Sequence, residues 1–98
     1  MKRILITGAN SYIGIRVEQH LGRWPEGYQV ETLDMIGDGW REKSFAGFDA
    51  VLHVAGIVHQ EKTKNDPQQE ELYDRVNARL PVEVAAKAKA EGVSQFLF

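Results

Sequence analysis

The chain has 98 residues, of which 43% are hydrophobic, so it can form one short domain with a modest core. Its 12 Lys and Arg against 14 Asp and Glu leave a formal charge of -2, which gives no reason to expect nucleic acid or an anionic membrane as partner. The absence of cysteine excludes disulfides and thiolate chemistry and fits the cytoplasm, and no apolar run approaches the roughly 18 residues of a membrane span.

The first third of the chain predicts a strand, a helix and a second strand. Residues 2–7 contain a continuous apolar run, which is typical of a strand buried on both faces of a parallel sheet. After a turn at 8–11, apolar residues recur every four positions, and this predicts an amphipathic helix over 12–22. Apolar and polar residues alternate over 28–35, which predicts the second strand.

The remainder predicts two more strands and a long helix. Residues 36–48 contain three glycines and predict at most one helical turn, whereas 49–55 have the pattern of a third buried strand. Residues 66–91 predict a helix that starts at an Asp-Pro pair and is kinked or broken near 77–80 by an interior proline. Residues 93–98 predict a fourth strand, and because they are apolar we expect the chain to be cut at the end of a buried strand.

This order of elements predicts an α/β fold: a Rossmann-type parallel sheet, partial and of about four strands, with flanking helices. We expect one domain over residues 1–98. We also expect the strand order 3-2-1-4, with a ligand cleft at the switch point between the first and fourth strands.

A glycine-containing turn, TGANSYIG, joins the first strand to the first helix. Gly8 would supply the tight turn, and Gly14 would let the helix pack close to the strand, with helix amides pointing at a pyrophosphate. Asp34 follows Gly14 by 20 residues at the end of the second strand, where a carboxylate binds ribose hydroxyls. Alternatively, both glycines are only turn and cap residues, and Asp34 is a solvated turn former.

The same turn is similar to the TGxxGxxG fingerprint of the extended short-chain dehydrogenases/reductases, the NAD-dependent epimerase/dehydratase family of nucleotide-sugar enzymes. The resemblance runs the length of the chain. DAVLHVAG at 49–56 is similar to the family's DxVxHLAA segment, Asn77 matches an asparagine of its long helix, and 91–98 match the run into its next strand. The resemblance implies an NAD(P)-binding Rossmann domain.

From the turn, Asp34 and the resemblance together, we expect NAD as the cofactor. NADP is less favoured, because the Asp34 carboxylate would repel a 2′-phosphate, although Arg41 is a nearby cation that would attract one. The expected cofactor-binding residues are Gly8, Asn10, Ser11, Tyr12, Ile13, Gly14, Asp34, Met35, Val54, Ala55, Gly56 and Asn77.

The chain departs from the family pattern in two ways. Ser11 replaces the middle glycine, so its Cβ occupies space near the phosphates, while its hydroxyl and the Asn10 amide offer hydrogen bonds to them. The family's catalytic Ser/Thr, which follows the last strand, is missing. The Tyr-x-x-x-Lys pair is missing too, because no tyrosine has lysine four residues later. We therefore expect no catalytic residue in this chain, no turnover by it alone, and a truncation before the catalytic residues and the substrate lobe.

Other chemistry-bearing residues give weaker signals. His53 lies on a predicted buried strand, which favours a core histidine over a ligand, and His59 is expected on the surface. No third ligand lies at a suitable spacing from these two histidines, so we expect no metal site. Trp40 either caps an adenine pocket or covers the sheet edge. Lysine pairs without interleaved aromatic residues predict solvated faces and no nucleic-acid partner.

Three functions remain to be compared. The first is the NAD-binding portion of an epimerase/dehydratase-type enzyme, whose full-length form transfers hydride to and from a nucleotide-sugar carbon. The second is a non-enzymatic dinucleotide-binding or regulatory module. A flavodoxin-like receiver is disfavoured because the first strand ends without an acidic cluster. We also expect a homo-oligomer, since the strand at 93–98 would be an unprotected apolar edge.

Overall fold

A computed structural model describes residues 1–9, 11–55, 71 and 75–98. Its regular elements alternate between strands and helices, as the sequence predicts. In chain order they are β1 (Lys2–Thr7), α1 (Tyr12–Leu21), β2 (Tyr28–Leu33), a 3₁₀ turn (Gly39–Glu42), β3 (Ala50–His53), a π-helical segment (Arg75–Arg79), α2 (Leu80–Ala90) and β4 (Gln95–Leu97).

The four strands form one parallel sheet in the order β2-β1-β3-β4. Helix α1 lies on the face of Ile6, because a Cβ added to Gly14 of that helix would lie 3.2 Å from the Ile6 side chain. Helix α2 lies on the opposite face, where its Val84 and Ala88 pack in a cluster with Leu5. The predicted α/β parallel sheet with flanking helices is confirmed.

The predicted strand order 3-2-1-4 is wrong. β3 pairs with β1 instead of extending the sheet beyond β2, and β4 pairs with β3 instead of β1. The reason lies in the connection between β2 and β3, whose Trp40, Phe45 and Phe48 are buried in the cluster that contains Leu5 of β1. Burying these aromatic side chains requires the connection to cross β1, so the switch point lies between β1 and β3.

Apolar burial and side-chain bonds hold this connection in place. Each of its large aromatic side chains contributes about 2 kcal/mol or more by leaving water. The Glu91 carboxylate at the end of α2 accepts hydrogen bonds from the Phe45 amide at 2.6 Å and from Lys87 Nζ at 2.6 Å. These two bonds, the one from Lys87 first, hold the pKa of Glu91 below its usual value. The connection is therefore tied to α2 as well as to the sheet.

Pro81 determines where the last helix becomes regular. The proline has no N–H to donate to the carbonyl of Asn77, and the backbone before it is π-helical over Arg75–Arg79. The predicted break near 77–80 is confirmed, and Gly92, with φ of +84°, follows the helix as its stop signal. The predicted start of this helix at the Asp-Pro pair lies outside the described residues. No helix in the described part of the chain is long and apolar enough to cross a membrane.

His53 is buried at the end of β3, as the apolar strand predicts, with 3% of its surface exposed. Its Nδ1 lies 2.7 Å from Thr7 Oγ1, and its ring stacks on Phe96 with the centroids 6.3 Å apart. Its Nε2 has no hydrogen-bond partner among the residues that the structure describes. Burial lowers the pKa of His53, because the imidazolium would lose its hydration without gaining a counter-ion.

We predict that the protein loses stability as the pH falls through the titration of unfolded histidine. Below about pH 6.5 the histidine at position 53 is protonated in the unfolded chain but stays neutral when it is buried in the folded protein. The free energy of unfolding therefore falls by up to about 1.4 kcal/mol per pH unit. Above that pH both forms are neutral and His53 adds no pH dependence. Thermal unfolding of His53→Phe between about pH 7.5 and pH 5.5 should show a smaller loss than the unaltered chain.

The exposed His20 provides the control for this measurement, because His20→Phe changes the same residue type on the surface of α1. It should leave the loss of stability nearly unchanged. An equally steep loss in His53→Phe would show that the pH dependence comes from other groups.

Candidate functional site

The turn between β1 and α1 is attached to both neighbouring strands. The amides of Gly8 and Ala9 both donate to the carbonyl of Leu33, the last residue of β2, at 2.8 and 3.1 Å. On the other side, the Thr7 carbonyl accepts from the amides of Val54 and Ala55 just after β3. The carboxyl ends of three parallel strands are thereby brought together at this turn.

Two glycines permit this close approach. Gly8 has φ of +129°, and a Cβ there would lie 2.7 Å from the Ala55 nitrogen. A Cβ on Gly14 would lie 2.7 Å from Ser11 Oγ and 3.2 Å from the Gly8 carbonyl oxygen. Neither position has room for a side chain. The turn therefore requires glycine at both Gly8 and Gly14.

Ser11 is the N-cap of α1. Its Oγ accepts from the Gly14 amide at 3.0 Å, and its carbonyl accepts from Ile15 at 2.9 Å. Helix geometry leaves the amides of Tyr12 and Ile13 without an intrahelical acceptor. The first turn contains no acidic residue, so the positive end of the helix dipole is not neutralised within it. Ser11 thus caps the helix and retains a hydroxyl proton to donate.

A cavity of about 620 Å³ opens at the carboxyl ends of β1, β2 and β3. Its walls come from the turn after β1, the connection after β2, the end of β3 and the region around the π-helical segment. The lining residues are Gly8, Ala9, Ser11, Asp34, Met35, Ile36, Gly37, Asp38, Trp40, Arg41, Ala55, Arg75, Val76, Leu80 and Glu83. In open α/β sheets ligands bind at this end of the strands, next to the switch point.

The cavity gathers part of the expected cofactor-binding set. The members of that set on its wall are Gly8, Ser11, Asp34, Met35 and Ala55. The others among the described residues do not line it: Gly14 is buried behind Ser11, Tyr12 and Ile13 lie exposed in the first turn of α1, Val54 follows β3, and half-buried Asn77 lies in the π-helical segment. Asn10 and Gly56 are outside the described residues.

Asp34 and Trp40 occupy different parts of the wall. Asp34 is exposed, and its Oδ1 accepts from the Ile36 amide at 2.9 Å, which fixes the carboxylate at the end of β2. Trp40 is 2% exposed and belongs to the core, yet it also reaches the cavity surface. The sequence left open whether this tryptophan caps an adenine pocket or covers the sheet edge. In the structure it packs in the core cluster with Leu5 and also lines the cavity.

Arg41 is paired with carboxylates from two elements. Its guanidinium bonds Asp38 Oδ1 at 3.3 Å and also bonds Glu83 of α2. The guanidinium carbon lies 4.5 Å from the centroid of the Trp40 ring. The bond to Glu83, followed by that to Asp38, raises the pKa of Arg41 above its usual value, so the group is a permanent cation. Arg75, by contrast, forms no ion pair with another described residue.

Sequence reasoning missed the wall formed by Arg75, Val76, Leu80 and Glu83. It placed all four residues in the helix predicted over 66–91 and gave them no role at a site. One signal was present: the crossover after β3 leaves the carboxyl edge of the sheet, so residues just before Pro81 belong near that edge. That signal does not identify the residues, because the length of chain between β3 and Pro81 is compatible with several residues reaching the cavity.

The described residues contain no group of three or more His, Asp or Glu that could hold a metal ion, and His59 lies outside them. Comparisons of the chain with protein-family models, curated proteins and solved structures give no match.

We predict that alanine at three glycines will destabilise the protein to different extents. Gly8→Ala combines a disallowed φ with a clash against the Ala55 backbone and should cost about 3 kcal/mol of unfolding free energy. Gly37→Ala meets only the cost of φ at +75°, about 1 kcal/mol, because no atom lies within 4 Å of the added Cβ. Gly39→Ala meets neither cost and is the control. Denaturant unfolding measures all three, and equal effects at Gly8 and Gly37 would mean that the close contact with Ala55 is unimportant.

Proposed function

We propose that this chain binds a dinucleotide, NAD in preference to NADP, in the cavity at the carboxyl ends of β1, β2 and β3. The observation that carries the proposal is that one cavity joins the capped amino terminus of α1 to the Asp34 carboxylate. The first feature suits a pyrophosphate and the second suits ribose hydroxyls. The volume, about 620 Å³, lies within the range of small-molecule sites.

The pyrophosphate would lie against the turn after β1. Because Gly8 has no Cβ, the turn can lie against the Ala55 backbone, and both residues line the cavity. The hydroxyl of Ser11, which lines the cavity, would donate to a phosphate oxygen, and the positive end of the α1 dipole would attract the phosphate charge. Arg75, on the facing wall, would supply a positive charge that no other described residue neutralises.

The adenosine would lie along the connection that follows β2. The Asp34 carboxylate is already oriented by the Ile36 amide and would accept hydrogen bonds from the ribose hydroxyls. The apolar side chains of Met35, Ile36 and Leu80 line the same wall and offer a surface for the adenine ring. Ile36 is 88% exposed, so adenine would cover an apolar side chain that otherwise faces water.

NAD, when bound, supplies a hydride acceptor, and the residues of this chain bind and orient it. By its resemblance to the epimerase/dehydratase family, we propose hydride transfer to and from a nucleotide-sugar carbon for the full-length protein. The sequence contains no Tyr-x-x-x-Lys, so the part assigned to these residues is cofactor binding. That absence equally favours the second candidate, a non-enzymatic dinucleotide-binding or regulatory module, and both candidates require the same site.

Removal of the Asp34 charge is expected to weaken NAD binding more than NADP binding. Asp34→Asn keeps an oxygen for the Ile36 amide but makes weaker bonds to the ribose, so the Kd for NAD should rise about tenfold by calorimetry. The Kd for NADP should change less, because the lost repulsion of the 2′-phosphate compensates. Glu18→Gln, on the exposed surface of α1, is the control. Equal weakening of both dinucleotides would remove Asp34 from the ribose site.

Arg75→Gln tests the pyrophosphate end of the cavity. We expect the Kd for NAD and for ADP-ribose to rise about fivefold at low salt, with the difference shrinking as salt screens the charge. Adenosine, which has no phosphate, should bind equally well to both proteins. Arg23→Gln is the control, because Arg23 is exposed and lies after α1 at the opposite end of the sheet. A similar loss for adenosine would indicate that Arg75 acts on the shape of the cavity instead.

A further inference from the structure

The adenosine end of the cavity carries more negative than positive charge. Asp34, Asp38 and Glu83 line this wall as carboxylates, and Arg41 is the cation that lies among them. With Arg75, the other cation of the described lining, three carboxylates against two guanidinium groups leave a formal charge of -1. Asp34, Asp38 and Arg41 come from the connection after β2, but Glu83 comes from α2, so two separate elements build this electrostatic surface.

Arg41 is held on three sides. Asp38 and Glu83 bond its guanidinium, and the Trp40 ring lies 4.5 Å from the guanidinium carbon. Its own carbonyl accepts a hydrogen bond from Lys87 Nζ at 3.1 Å, which fixes the backbone to α2. Two carboxylates neutralise this guanidinium, so its remaining N–H groups attract a phosphate less strongly than those of an unpaired arginine would.

The two carboxylates are not equivalent. The side chain of Asp38 is 85% exposed, and an ion pair in that setting is weakened by solvent. Glu83 is 43% exposed and reaches Arg41 from a regular helix that is packed on the core through Val84. Glu83 is therefore the stronger of the two restraints on Arg41.

We infer that Glu83 is a specificity-determining residue, which makes the site reject a 2′-phosphorylated dinucleotide by occupying and neutralising Arg41. This inference rests on the proposed function. Without Glu83, the guanidinium of Arg41 would attract a phosphate on the adenosine ribose more strongly, and the site would discriminate less against one. With Glu83, the ribose faces a surface that accepts hydrogen bonds and repels a phosphate dianion.

Glu83→Gln keeps the shape of the side chain and removes its charge. Binding of NAD, NADP, AMP and adenosine 2′,5′-bisphosphate is measured by calorimetry at low salt. The ratio of the Kd for NADP to the Kd for NAD should fall about fivefold in Glu83→Gln, because one repulsive charge is lost and one guanidinium is released. The ratio for the bisphosphate and AMP should fall in parallel.

The double variant Glu83→Gln/Arg41→Gln tests whether the released cation is responsible. It should return the ratio to within about twofold of that of Arg41→Gln alone. Glu42→Gln, which removes a charge next to Arg41 from a residue outside the cavity wall, should leave the ratio unchanged. Thermal unfolding of every variant shows that the proteins compared are folded.

The outcomes separate this inference from the proposed function. If the unaltered chain binds neither NAD nor NADP, the proposed function fails and the inference fails with it. If NAD binds but Glu83→Gln leaves the ratio unchanged, only the inference is wrong. A fall in the ratio that survives Arg41→Gln would also overturn it, because the effect would then be a change in net charge and not the release of Arg41.

Discussion

The position of β1 in the middle of the sheet is the constraint on which the rest of this structure depends. It pairs with β2 on one side and β3 on the other, and Leu5 and Ile6 have no exposed surface. The chain therefore leaves β1 towards one side and has to return to the other. The connections after β1 and β2 lead to different sides of β1 at that reversal, and the cavity lies there, at the carboxyl ends of the strands.

The connection that makes the reversal serves both packing and the site. Its Phe45 and Phe48 fill the core over Leu5, while Trp40 is shared between the core and the cavity wall. The ion pairs around it are partly exposed and add little to stability, so the apolar burial holds it. A ligand that fills the cavity would stabilise the fold through the same segment, in proportion to its concentration over its Kd.

The wall of the cavity carries groups of opposite electrostatic character. The amino terminus of α1 and Arg75 present donors and positive charge, whereas Asp34, Asp38 and Glu83 present acceptors. A molecule with an anionic middle and a hydroxyl-bearing sugar at one end complements this arrangement, and one with a second phosphate on that sugar does not. The proposed preference for NAD over NADP rests on this distribution of charge.

The sequence by itself determined the local features: β1, α1, the break before Pro81, the stop at Gly92 and the glycine turn all follow from periodicity and from the restricted backbones of proline and glycine. The sequence also placed Asp34 at the end of the second strand, and the structure places it there on the cavity wall. The strand order was predicted incorrectly, and Arg75 and Glu83 were missed, because both depend on which apolar surfaces meet over long separations. The burial of Trp40, Phe45 and Phe48 over β1 is a tertiary contact, and only that contact decided which strand lies beside β1 and which residues enclose the cavity.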